Sequence, residues 1–271
     1  MESFNFAQGA QWRARAAFAC VALSLAACTN ACGQPVPILM YHSVSDLNDA
    51  YAVAEKDFAA QLDYLKSAGF NTVTLHELVE HEDHKAKLAA HPIVLTFDDG
   101  YQDNYSRAFP LLKARGMRAT FFVVTRFMGE DEAHRRVEDR GGPRERRYLL
   151  WSEVREMAAA GMEIGSHSLM HKRLPDLSPE QIKEDVEKSR QELSDKLSAP
   201  VEFFAYPFNS ERRHIRKIVE AGGYRGAVAG ARSVGDRFEL ARFGVYRGMT
   251  ANDLRDKLEE NWTQSYTTDG N

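Results

Sequence analysis

From residue 36 almost to the end, two hydrophobic patterns alternate along this chain. Short unbroken apolar runs bounded by turn residues read as buried strands, and apolar residues recurring every three or four positions read as amphipathic helices. The strand candidates are residues 36–41, 71–75, 93–95, 119–124, 162–165, 203–206, 226–228 and 241–246. Between them, Phe58, Leu62 and Leu65 repeat at helical spacing up to Gly69, and a helix around Phe109, Leu111 and Leu112 stops at Gly116. Glycine just past the last periodic residue is a common helix terminator. Residues 150–160 form a further helix, stopped by Gly161. Ser178, Pro179 and Gln181 spell a helix start, with a capping hydroxyl, proline at the first turn and a reciprocal amide, and that helix should run to residue 197. Residues 215–221 and 253–262 complete the helices. Two stretches fit neither pattern well. Residues 76–88 read as a polar helical connector, and residues 126–147 as a charged, loop-like insertion over one mouth of the fold.

Strand–helix units in succession imply a parallel sheet. Seven or eight of them in one chain imply an α/β barrel, in which catalytic groups gather where strands end. The 271 residues, 44% hydrophobic and 27% charged, suffice for one domain with a full core. A net charge of −4 without a basic tract gives no footing for nucleic acid. No apolar run reaches the 18 residues that suggest a membrane span.

The N-terminus carries targeting information. Arg13 and Arg15 precede an apolar stretch at 16–25, too short to span a membrane and suited to a signal peptide. It ends Leu25-Ala26-Ala27-Cys28, which resembles the lipobox of bacterial lipoproteins; a plain secretory signal cleaved after Ala27 or Ala31 is the alternative. The expectation is a signal peptide at 1–27, a tether at 28–35, a catalytic domain at 36–262 and a polar tail at 263–271. Cys20 would be removed and Cys28 acylated, leaving Cys32 alone, so no intrachain disulfide is expected.

The candidate chemistry sits at strand ends. Thr96-Phe97-Asp98-Asp99-Gly100 places two adjacent carboxylates where a strand must leave the sheet. Neighbouring side chains on a strand point to opposite faces, so both aspartates serve one pocket only if the backbone turns, as Gly100 permits. An ordinary Asp-Gly turn is the plain alternative. His167-Ser168-Leu169-Met170-His171 follows a later strand, with two histidines spaced to share one metal ion but without the glutamate of the zinc-protease helix. Asp99, His167 and His171 together offer two imidazoles and a carboxylate, a catalytic zinc set that could also hold iron, cobalt or nickel. Asp98, beside them, can take a proton from attacking water. Phe203-Phe204-Ala205-Tyr206-Pro207-Phe208-Asn209 ends a third strand. His42, Asp98, His167 and Tyr206 all fall on one predicted rim.

These motifs resemble those of the polysaccharide deacetylases of the fourth carbohydrate-esterase family, over residues 36–262. The resemblance implies an irregular (β/α)7 barrel and removal of N-acetyl groups from an acetylamino-sugar polymer. It also implies one divalent metal ion, usually zinc, on Asp99, His167 and His171, with Asp98 as the base. The backbone N–H of Phe208, following Pro207, would donate to the developing oxyanion, and Tyr206 could stack on a sugar ring. The chain departs from the family where Ala205 replaces an arginine and Phe208-Asn209 replace Tyr-Gly. The fifth motif's histidine is not visible; Leu240-Ala241-Arg242-Phe243 stands in its place, and Arg242 is a candidate to orient Asp98. Tyr41-His42-Ser43-Val44 resembles the exported branch that deacetylates poly-β-1,6-N-acetylglucosamine of biofilms, with peptidoglycan and chitin oligomers as other polymers. His42 is the one remaining strand-end histidine, suited either to protonate the leaving amine or to orient a metal ligand. The expected protein faces the periplasm or cell envelope from a lipid anchor, with an N-acetylated glycan as its partner. A hydrolase of small cyclic amides on the same fold and an inactive carbohydrate-binding module are the alternatives. The cluster of His76, Glu77, His81, Glu82, Asp83 and His84 reads as a solvated helix face rather than a metal site, and Trp151 as a core residue.

Overall fold

The computed structural model describes residues 36–138, 145–230 and 236–261. Cys28, the signal and tether segments and the tail lie outside the described residues. Eight short strands form one parallel sheet: β1 (Ile38–Tyr41), β2 (Asn71–Thr72), β3 (Pro92–Phe97), β4 (Thr120–Val123), β5 (Glu163–Ser166), β6 (Phe203–Ala205), β7 (Gly226–Val228) and β8 (Phe243–Gly244). The order is β7-β6-β5-β4-β3-β1-β8, with β2 pairing the start of β3 and β4 its end. Leu240 bridges to Val228 at one end of this order, and Phe243 and Gly244 pair with Leu39 and Met40 at the other. The few residues from Leu240 to Gly244 therefore link the sheet's two ends, as the expected irregular barrel requires. Among the described residues seven α-helices alternate with these strands: α1 (Glu55–Ser67), α2 (Leu75–His84), α3 (Phe109–Ala114), α4 (Trp151–Ala159), α5 (Pro179–Leu197), α6 (Arg213–Ala221) and α7 (Ala251–Asn261).

The core has two parts because strand side chains alternate. Leu39, Tyr41, Leu95, Phe97, Phe121 and Phe204 pack toward the helices, with Tyr41, Phe97 and Phe121 stacked in a column at 5.2 and 4.7 Å between ring centres. Ile38, Val94, Phe122, Phe203 and Val228 form a second cluster with Val73, Leu75, Leu78 and Val79. Gly165 makes room in that cluster, since a Cβ there would collide with the Phe122 ring and stand 3.2 Å from the Phe203 carbonyl.

That second cluster corrects the reading of residues 76–88. The helix there is not polar all round. Leu75, Leu78 and Val79 sit at i, i+3 and i+4 and are fully buried. Thr74 caps the helix reciprocally with Glu77, and Glu163 of β5 accepts the N–H groups of Leu75 and His76 at 3.0 and 2.9 Å. A carboxylate at a helix N-terminus meets the unpaired donors and the positive end of the dipole. The charged half bonds to distant arginines: Asp83 pairs with Arg225 and Arg237.

Other expectations shift at their edges. The helix from Ser178 runs over Pro179–Leu197, its cap formed as expected. The strand expected at 241–246 is only Phe243–Gly244, and that at 71–75 ends at Thr72. The insertion at 126–147 holds two 3-10 turns and a small antiparallel ladder, Val137–Glu138 with Arg146–Arg147.

Candidate active site

All the predicted rim residues except the Tyr206 ring come together at the C-terminal ends of the strands. Around them lies a cavity of about 300 Å³, bordered by His42, Asp98, Asp99, His167, His171 and Phe208. Continuing the alternation of β3 past buried Thr96 points Asp98 inward and would point Asp99 away. Asp99 instead adopts φ +75° and Gly100 φ +72°, so the chain reverses and both carboxylates serve one cavity. Left-handed backbone is uncommon outside glycine and clusters at functional sites. Ser168, His171, Phe208 and Asn209 share it, at φ +71°, +54°, +59° and +48°.

Asp99 Oδ1 lies 3.3 Å from His167 Nε2 and 3.2 Å from His171 Nε2, and the three ligand atoms all fall within 4.8 Å of one another. Metal–ligand bonds of about 2.0–2.2 Å imply tetrahedral edges near 3.4 Å. The two aspartate–histidine separations match that edge, so this set fits one metal ion. His167 Nδ1 stands 2.8 Å from the Ala205 carbonyl, which fixes that nitrogen as the proton-bearing one and leaves Nε2 with a lone pair toward the centre. Ala205, where the resemblance implies an arginine, is fully buried in the second core cluster.

The loop between the two histidines is held from below. Asp185 of α5 accepts the N–H groups of Leu169 and Met170 at 2.9 and 3.2 Å, and Ser168 Oγ accepts that of His171 at 2.9 Å. Asp185 escaped the sequence reading, although it lies on the helix's buried stripe with Ile182, Val186, Ser189 and Leu193. A carboxylate on an apolar stripe needs partners, and that was the available signal. The His42 loop is tied similarly. Asp103 accepts from Ser43 Oγ at 2.6 Å and Val44 N–H at 3.1 Å, while Asn104 Nδ2 donates to the His42 carbonyl at 2.7 Å.

Arg242 meets Asp98 as a fork, with both guanidinium nitrogens 2.7 Å from its two carboxylate oxygens. The arginine is further fixed by Ala229 O at 3.0 Å and Thr96 Oγ1 at 3.1 Å, and both partners are buried. Burial pushes the Asp98 carboxyl upward, but the Arg242 guanidinium outweighs it and holds the group below the ordinary carboxylate range. Asp99 is likewise resisted by burial yet held well below that range by His167 and His171. Burial opposes charge on His167 too, but Asp98 and Asp99 raise its proton affinity. His42 goes the other way: burial lowers it despite the same two carboxylates, and among the described residues its buried Nδ1 has no hydrogen-bond partner.

Tyr206 needs correction as a sugar-stacking residue. It borders the cavity, yet its side chain is wholly buried, its hydroxyl donates to the Phe238 carbonyl at 2.8 Å, and its ring packs edge-on against Phe204. Phe208 is the aromatic left outside, 62% exposed with its ring 4.7 Å from that of His171. Trp151 is buried in the core as read, under the Lys196 ammonium. Tyr51, Tyr101 and Arg146, which no motif marked, also border the cavity, as does Asn209 at the end of the third motif. Arg146 comes from the 126–147 insertion and lies over the Tyr101 ring at 4.4 Å.

Comparison with known proteins gives the same reading. The family model for polysaccharide deacetylase matches residues 85–227. YxkH of Bacillus subtilis is 29% identical over 221 residues, covering 80% of this chain and 74% of that protein. The poly-β-1,6-N-acetyl-D-glucosamine N-deacetylase of Staphylococcus aureus is 26% identical over 184 residues, 65% of this chain and 60% of that enzyme. Among solved structures, the deacetylase PplD of Streptococcus pyogenes, in complex with acetate, superposes with a TM-score of 0.70 at 25% identity, covering 82% of this chain and 96% of that one. IcaB from Ammonifex degensii gives 0.65 at 27% identity, covering 79% and 92%. A family model matching from before β3 to within β7, on a barrel rim already carrying two histidines and two aspartates, leaves one assignment: the chain belongs to the polysaccharide deacetylase family, a family of polysaccharide N-deacetylases.

Proposed function

We propose that the protein is a metal-dependent N-deacetylase of an acetylamino-sugar polymer, with poly-β-1,6-N-acetylglucosamine ahead of peptidoglycan and chitin-like chains. The observation carrying this reading is the Asp99–His167–His171 cluster beside a buried carboxylate, Asp98, that faces the same cavity. A divalent ion at Asp99, His167 and His171, zinc in our reading, would lower the pKa of water to about 7 and polarise the acetamide carbonyl. Asp98 accepts the proton that water gives up as its oxygen attacks the carbonyl carbon. Arg242 takes one lone pair on each Asp98 oxygen, and a carboxylate oxygen has a second to offer. The Phe208 N–H is the proposed donor to the oxyanion. When the carbon–nitrogen bond breaks, the amine leaves with a proton and acetate remains.

We assign that last proton to His42. It borders the same cavity, and among the described residues it makes no hydrogen bond to Asp99, His167 or His171, which removes support for the orienting role. Its lowered proton affinity makes the imidazolium a stronger acid once formed. The relatives support the substrate class: one is a poly-β-1,6-N-acetyl-D-glucosamine N-deacetylase, of whose length the chain spans 60%. We further propose the domain plan of signal peptide 1–27, tether 28–35 and catalytic domain 36–262, with Cys28 lipidated and the enzyme held at the cell envelope.

Acetate release from a panel of polymers, with metal content measured on each variant, tests the reading. Asp99→Ala, His167→Ala and His171→Ala should each lose metal and activity together. Asp98→Asn should keep the metal and lose most turnover. Ring opening of a small cyclic amide with no acetate released from any polymer, or no hydrolysis at all, defeats the proposal.

A further inference from the structure

Tyr51 stands at the edge of the active-site cavity with Tyr246 packed against it, in a way that the reaction does not require. Tyr51 is 46% and Tyr246 41% exposed, their rings meeting edge to face at 5.7 Å, and Tyr51 also lies 4.7 Å from the His42 ring. Among the described residues neither hydroxyl has a hydrogen-bond partner. An aromatic face with a polar tip, left in water, is the kind of surface that an amphipathic ring can cover.

The pair is also built to hold still. The Arg247 N–H donates to Ala50 O at 2.9 Å and the Val245 N–H to Met40 O at 2.9 Å, which fastens both tyrosine loops to one another and to β1. Tyr246 lies against Gly244, where any Cβ would overlap its ring. On the far side of Tyr246 a second cavity of about 600 Å³ opens, bordered by Phe243, Tyr246, Met249 and Lys257. Tyr51 borders the first cavity, Tyr246 the second, and their contact joins the two.

We propose that this path is a saccharide subsite: neighbouring sugars of the glycan whose acetamide occupies the active site stack on Tyr51 and Tyr246 and extend toward the second cavity. This rests on the glycan reading of the active site and adds where the rest of the chain lies. Continuity with the catalytic cavity favours sugars of the same polymer as occupant. A second copy of the protein would be seen as self-association lost on substitution, and that would overturn the assignment.

The test compares β-1,6-linked N-acetylglucosamine oligomers of two and five residues. In Tyr246→Ala, kcat/KM for the pentamer should fall by about 10-fold more than for the dimer, through KM, as expected for one lost ring contact. Tyr246→Phe should retain most of the affinity. Gly244→Ala should reproduce the loss by pushing the ring aside. Calorimetric titration of the pentamer into Asp98→Asn and into Asp98→Asn with Tyr246→Ala reads binding without turnover. A weaker Kd in the double variant supports the subsite even if no acetate is ever released. Equal Kd values, or equal kinetic losses on dimer and pentamer, overturn it even if the wild-type enzyme is active.

Discussion

Replacing Arg242 by methionine should expose how the base is held. The pair is almost without solvent, with side-chain exposures of 0% for Arg242 and 3% for Asp98. In such a place the wild-type ion pair is a modest net contributor, because desolvating both charges offsets most of their attraction. Breaking it is different. A buried carboxylate without its partner costs about 3–5 kcal/mol. Methionine keeps the volume, so little of that cost would be a cavity effect. The sign with pH follows from Asp98. Its folded-state pKa is depressed, so the pair's contribution is present above the unfolded carboxylate value of about 3.9 and is lost as pH falls through the lower folded value. In Arg242→Met burial, which raises the Asp98 pKa, is opposed only by His167 and His42, so that pKa should rise and the destabilisation should be largest at neutral pH and shrink as acid protonates the carboxylate. Asp98→Asn combined with Arg242→Met should cost less at neutral pH than the sum of the two single changes, by about 0.5–3 kcal/mol of coupling. Denaturant unfolding of metal-free protein at pH 5 and pH 7 measures all of this. A cost independent of pH, and additive in the double variant, would falsify the view that Arg242 acts through the Asp98 charge.

Three further outcomes are expected. Asp185→Ala should leave the Leu169 and Met170 N–H groups without their acceptor and loosen the loop carrying His171, lowering metal affinity by about 10–100-fold in a calorimetric titration; unchanged affinity would show that the loop holds itself. His167 binds protons more tightly in the metal-free fold than in the unfolded chain, so this stabilisation is complete below about pH 6.5 and disappears as pH rises through the higher folded value. Metal must displace that proton, so affinity should tighten with rising pH across the same window, with proton release visible in buffers of different ionisation enthalpy; a flat profile refutes it. Cys28→Ser should move the protein from membrane to soluble fractions, since stable attachment takes two or more acyl chains, and an unchanged membrane fraction would remove the anchor.

What could be read from the sequence follows from how locally each feature is encoded. Asp98, Asp99, His167 and His171 were legible because a strand, a turn and four chemically distinctive residues lie together in the chain, and the structure supplies only the reversal at Asp99. Arg242 was legible in part, as a charged residue on a late strand. Tyr206 misled because its motif position suggested a role that its register denies. Phe204 points toward the helices, and strand alternation sends Tyr206 the same way, into the core. Counting two residues from Phe204 would have excluded it. The helix at Leu75 misled for the opposite reason: its apolar contact is confined to its first two turns, and averaging over the polar remainder hid it.

Tyr51 and Tyr246 belong to a third kind. Nothing within either loop distinguishes them from ordinary exposed aromatics, and they meet only because backbone hydrogen bonds join segments almost two hundred residues apart, at Arg247 and Ala50. Closing so distant a contact is unfavourable unless intervening structure has already brought the ends together. Here β8 lies beside β1 and does so. The same pairing carries Arg242 to Asp98, two residues before Gly244, where Tyr246 rests. The short strand that closes the sheet therefore positions the base from inside and the tyrosine pair from outside. A substitution that loosens β8 should weaken both at once, whereas Tyr246→Ala should touch only one.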